Sequence, residues 1–114
     1  MSEQNVYHTG PTAPTSLNAA ASGSIDLSGK RHVKIKADLI TNPSARLYYR
    51  IGYSDALAAT DLTNAEDYLI DGEVEELWLD PRLTPYLYWW LADSAGSEVT
   101  GGASDYLRKF IEEH

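Results

Sequence analysis

A two-residue rhythm runs through most of this chain and decides what it can become. In residues 31–40, Val33, Ile35, Ala37 and Leu39 alternate with His32, Lys34, Lys36 and Asp38. In residues 45–51, Ala45, Leu47, Tyr49 and Ile51 alternate with Arg46, Tyr48 and Arg50. Successive side chains of a strand point to opposite faces, so each run buries one face and wets the other. Residues 24–28 repeat the pattern with Ile25 and Leu27. Residues 86–92, YLYWWLA, are apolar at both parities, the mark of a central strand or of one covered on its second side.

The punctuation between the runs suggests how they join. Thr41-Asn42-Pro43-Ser44 supplies turn chemistry, with Pro43 fixing φ and Asn42 suited to an Asx-type turn, so residues 31–40 and 45–51 read as a hairpin. Asp71-Gly72 between residues 68–70 and 74–79 reads as a type I′ hairpin turn. Residues 52–67 read as a long connection with a helical turn around residues 61–65. Residues 93–97 turn, and residues 98–100 form a short last strand. In the tail, Tyr106 with Phe110 and Leu107 with Ile111 are i,i+4 pairs. They predict a short helix over residues 105–113, capped by Ser104 with Asp105 in its first turn, although Glu112 and Glu113 sit at the end its dipole disfavours.

Residues 1–23 are rich in Ser, Thr, Ala, Asn, Pro and Gly, with Val6, Tyr7 and Leu17 as the large apolar residues. Alone, such a segment does not bury enough surface to offset its ordering entropy, so it reads as an arm that orders on a partner. The expected fold is therefore all-β: a small antiparallel β-sandwich or barrel of about seven strands. It spans residues 24–103, with an extended N-terminal arm over residues 1–23 and a short C-terminal helix over residues 104–114.

Charge narrows the partners. Seventeen acidic against nine basic side chains give a net charge of −8, which disfavours nucleic-acid phosphate and anionic membrane. Neither an 18-residue apolar run nor an export signal is visible, so a soluble protein is expected. Residues 1–50 carry a net +3 and residues 51–114 a net −11. Either basic strands pair with acidic ones inside one sheet, or the molecule associates with copies of itself or with a charged partner.

Chemical signatures are sparse. The absence of cysteine excludes disulfides, thiolate catalysis and Cys-type metal sites. Gly52-Tyr53-Ser54-Asp55-Ala56 lacks the second glycine of a nucleophile elbow, and Gly101-Gly102 is an isolated pair, not a phosphate loop. His8, His32 and His114 match no metal spacing and read as structural or solvated. Eight carboxylates (Asp55, Asp61, Glu66, Asp67, Asp71, Glu73, Glu75 and Glu76) fall within 22 residues. Asp67 and Asp71 are the weak candidates for calcium, but Trp78 stands where an EF-hand needs its last ligand, so a solvated face is the ordinary reading. Nothing selects a carboxylate pair for glycoside hydrolysis. Neither an enzyme nor a cofactor is expected.

The order SIDLSGKRHVKIKA, ARLYYRIGYSDALAA, YLIDGEVEELWL and YLYWWLADSAGSEV resembles small β-rich virion proteins that tailed bacteriophages encode among their head genes. The likeness covers residues 24–100 and leaves the tail outside. It implies a capsid decoration or cement protein, or a head–tail component, located at the virion's capsid surface and made in the host cytoplasm. The implied partner is the major capsid protein or another virion protein, with self-association into a trimer or other homo-oligomer. Binding would fall to Val6, Tyr7 and Leu17 of the arm and to an exposed aromatic set, Tyr86, Tyr88 and Trp90. A carbohydrate-binding module is the competing reading, since an exposed aromatic row stacks on sugar rings. The discriminating feature is whether Tyr86, Tyr88 and Trp90, or Leu87, Trp89 and Leu91, lie bare in the subunit.

Overall fold

A computed structural model of the chain describes residues 10–11, 14–53, 65–80 and 82–111. Its strands are β1 (Gly10–Pro11), β2 (Thr15–Ser16), β3 (Ser22–Asp26), β4 (His32–Leu39), β5 (Arg46–Gly52), β6 (Asp67–Leu69), β7 (Val74–Trp78), β8 (Tyr86–Ala92) and β9 (Asp105–Ile111). They form two antiparallel sheets, each four strand positions wide. Sheet I runs β1/β2–β9–β4–β7, its first position filled by two short pieces, and sheet II runs β3–β8–β5–β6. The alternation drives their packing. Val33, Ile35, Ala37, Leu39, Leu77 and Leu107 of sheet I meet Ile25, Leu47, Tyr49, Leu69, Leu87, Trp89 and Leu91 of sheet II in one core. The fold is all-β and sandwich-like, and the inward faces are those the alternation predicts.

The connections differ from the expectation. β4 and β5 lie in different sheets, as do β6 and β7, so neither pair is a hairpin. From β2 to β9, every connection except β5–β6 crosses between sheets. A crossing arch and a hairpin bury the same alternate residues, so a period of two does not separate them. The turn after β6 is closed by the Glu73 N–H donating to the Ile70 carbonyl at 3.0 Å. Of its two central residues, Gly72 alone has positive φ (85°), the pattern of a type II turn; type I′ would require it of Asp71 as well.

The predicted C-terminal helix is a strand over residues 105–111. β9 pairs with β4 from Val33↔Ile111 to Leu39↔Asp105, and with β1 and β2 on its other side. Four is a multiple of two, so the i,i+4 pairs fit one face of a strand as well as a helix. Residues 98–100 contribute an isolated bridge, Ala92↔Glu98.

Asp105 decides between the two. Its carboxylate is fully buried and collects four donors from two loops. Oδ1 accepts the backbone N–H groups of Thr41 (2.8 Å) and Asn42 (3.3 Å). Oδ2 accepts the Gly102 N–H (2.8 Å) and the Asn42 side-chain amide (3.0 Å). Asn42 therefore serves Asp105, and its Nδ2 also donates to the Thr100 carbonyl. Ser104, read as a helix cap, instead donates its N–H to Thr41 Oγ1.

Leu17 also departs from its expected place. It is fully buried in the core, its N–H donating to the Asp105 carbonyl at 3.0 Å, while β2 pairs with β9 and β3 with β8. Its carbonyl presses on Gly101, where any Cβ would collide with it. Residues 15–26 thus pass from sheet I to sheet II as part of the sandwich.

Two stability changes follow. Asp105→Asn turns an amide toward donors and is expected to cost about 3 kcal/mol in urea unfolding, with faster hydrogen exchange at Thr41 and Asn42. Leu17→Ala is expected to cost about 3 kcal/mol by cavity formation. A Leu17→Ala protein of unchanged stability would mean the side chain is not a core residue.

Candidate functional site

The aromatic face expected to be bare is covered. Tyr88 and Trp90 are 1% and 3% exposed, Trp89 is 3% exposed, and Tyr86 is half-buried. On the outer face of sheet II, Tyr88 lies across Gly52, where a Cβ would sit 2.5 Å from the ring. Arg50 stacks over Tyr88, and Tyr68, Tyr48 and Trp90 form a cross-strand row with Arg46 over Tyr68. These contacts are cross-strand packing, which corrects the reading of Tyr88 and Trp90 as an exposed platform. Leu17 is core, and Val6 and Tyr7 lie outside the described residues, as do residues 61–64 of the helical turn expected around residues 61–65.

Of the acidic cluster, Asp55 and Asp61 lie outside the described residues, and four of the other six carboxylates act as caps. Asp71 Oδ1 accepts the Leu39 N–H where β4 outruns β7, and Glu66 Oε2 accepts the Ile51 N–H where β5 outruns β6. Asp67 Oδ1 accepts the Tyr68 N–H, and Glu73 Oε1 accepts the Ile70 N–H in the turn. Asp67 and Asp71 are thereby drawn to different backbone donors. Among the described residues, no three His, Cys, Asp or Glu side chains converge as a metal would require.

Among the sheet edges of the described residues, β7 ends sheet I. The Ala37 N–H donates to the Glu73 carbonyl and the Leu79 N–H to the Arg31 carbonyl, which sets the parity of the ladder. Odd-numbered residues of β7 bond to β4, and the N–H and C=O groups of Val74, Glu76 and Trp78 point away from it. Among the described residues no strand lies beyond β7. Four of the seven large apolar side chains left exposed in the described residues, Tyr68, Ile70, Val74 and Trp78, belong to β6, β7 and their turn. The unburied apolar surface is therefore concentrated on one side of the sandwich.

Trp78 dominates this side. It is 66% exposed, with its ring stacked on the buried His32 imidazole at 3.8 Å and 9°. His32, expected on a solvated face, is 2% exposed because Trp78 lies over it. Glu76 sits 3.8 Å from both His32 Nε2 and Lys34 Nζ, so the basic strand and the acidic strand do pair within one sheet. Beside Trp78 a shallow recess of about 450 Å³ is lined by Arg31, Leu79, Asp80 and Arg82. Arg82 is held by Asp80 through bonds of 2.8 and 3.0 Å, and that guanidinium keeps the Asp80 carboxyl below the usual carboxylate range. The negative field extends inward: burial, and then Glu75, Asp67 and Glu66, push the Tyr49 phenol up.

An exposed tryptophan stacked on a buried ring, beside arginines, is the composition of an interface anchor. Its position was readable in principle, because Leu77 and Leu79 share a parity and force Trp78 to the opposite face. The free edge was not, because the partner of β7 is far away in sequence. Compared with known proteins, the chain matches no family model, no curated protein and no solved structure.

With Trp89 and Trp90 buried, acrylamide should quench Trp78 alone among the three tryptophans. Trp78→Phe is expected to abolish the quenchable emission while changing stability by about 0.5 kcal/mol or less. Strong residual quenching would place another indole in solvent.

Proposed function

We propose that the protein is a non-enzymatic structural component of a tailed-phage virion, a capsid decoration or cement protein that attaches through the β7 edge and Trp78. The observation that carries this reading is the indole of Trp78, exposed to solvent and stacked on His32 at a strand edge that no strand of the described residues covers. Such an anchor loses little side-chain entropy on binding, which favours adhesion by a small body. The sequence resemblance supplies the virion context and the major capsid protein as partner. Residues 1–9, including Val6 and Tyr7, remain a second attachment element in this proposal, and self-association would multiply weak contacts on a repeating lattice. A head–tail position fits the same geometry.

A second reading has one observation in its favour. The flat face of Trp78 beside Asp80 and Arg82 is also the arrangement that stacks on a sugar ring and bonds its hydroxyls.

Co-sedimentation with a panel of tailed-phage shells, run beside light scattering and oligosaccharide calorimetry, separates them. The decoration reading expects the protein in the pellet with one shell type and about ten-fold or greater loss of affinity in Trp78→Ala. Saccharide affinity without affinity for any shell would replace it with the carbohydrate reading.

A further inference from the structure

We infer that β7 accepts an extended, basic segment of a partner chain as an added strand, with Lys or Arg set against Glu75 and Glu76. This rests on the proposed role as an adhesive module and names the partner's chemistry at the same edge.

The backbone provides the affinity. Val74, Glu76 and Trp78 turn their N–H and C=O groups outward from the last strand of sheet I, the pattern that strand addition completes. The side chains provide the selection. On the outer face, apolar Val74 and Trp78 flank Glu76, and on the inner face Glu75 precedes Leu77. A strand laid antiparallel over these five residues therefore needs apolar groups opposite Trp78 and Val74 on the outer face and basic groups opposite Glu76 and Glu75.

Charge rejects the commonest alternative. From Glu66 to Glu76 there are six carboxylates and no basic side chain. Two copies pairing their β7 edges about the strand centre would set Glu76 against Glu76, with Glu75 flanking it, which is destabilising. Glu66, Asp67, Asp71 and Glu73 accept backbone N–H groups, so their charge is fixed close to the edge. On β4, Lys34 Nζ and His32 Nε2 each lie 3.8 Å from Glu76, while β7 itself carries no basic residue and Glu75 has no ion pair among the described residues. The edge repels its own kind and attracts a cationic strand.

The probe is a capped heptapeptide, Thr-Val-Thr-Lys-Arg-Ile-Thr, titrated into the ¹⁵N-labelled full chain. Its controls are a version with Glu in place of Lys and Arg, and a version N-methylated at Val and Lys. The amides of Val74, Glu76 and Trp78 are expected to shift and to exchange about ten-fold more slowly at saturation. Both control peptides, and the Glu75→Gln/Glu76→Gln protein with the parent peptide, should bind about ten-fold or more weakly. Added salt should weaken the parent complex.

Absence of binding, equal binding of either control peptide, or shifts that bypass those three amides would overturn strand addition. The shell assay keeps the two ideas apart. Trp78-dependent shell binding without peptide binding leaves the adhesive role standing and removes this inference. Peptide binding at the three amides without affinity for any shell does the reverse.

Discussion

The buried carboxylate of Asp105 is the contact on which the architecture depends. A charge with no solvent exposure is tolerated only when its lone pairs are filled, and here four N–H groups fill them. The donors come from the loop that leaves β4 and the turn that enters β9, some 60 residues apart in the chain. Fixing that corner starts β9 in register with Leu39 and carries it along the whole of β4. β9 then receives β1 and β2, and the N-terminal segment is drawn into the sandwich with Leu17 as a plug under Gly101. A helix over the same residues would carry Asp105 away from these donors and leave them unsatisfied.

The crossing topology has a second consequence. Since the chain passes from sheet to sheet at nearly every turn, few strands pair with their sequence neighbours, and the native pairs close long loops. Such folds form slowly and present edges along the way. At the side where β6 and β7 end the two sheets, the molecule manages the exposed backbone with carboxylates: Glu66, Asp67, Asp71 and Glu73 each take an N–H. This cluster stands in sequence as a candidate cation site, yet its geometry is that of edge caps. The same charge leaves β7 selective, closed to its own copy and open to a basic strand. The proposed function and the added-strand inference both grow from that one edge.

What the sequence determined by itself was which face of each strand is inward. Val33, Ile35, Ala37, Leu39, Leu47, Tyr49 and Leu87 are core because alternation is local, set by the geometry of the extended chain and by the apolarity of each side chain. It also marked YLYWWLA as the strand buried on both faces, and β8 lies between β3 and β5. Pairing was decided only in three dimensions. A period of two is satisfied equally by a hairpin and by an arch, and an i,i+4 pair equally by a strand and by a helix. Whether Trp90 is covered and Trp78 bare depends on neighbours such as Tyr48 and His32, distant in the chain and brought close by the sheets. Burial of a side chain is a property of what lies above it, and for a sandwich joined by arches that neighbour is almost never the next strand.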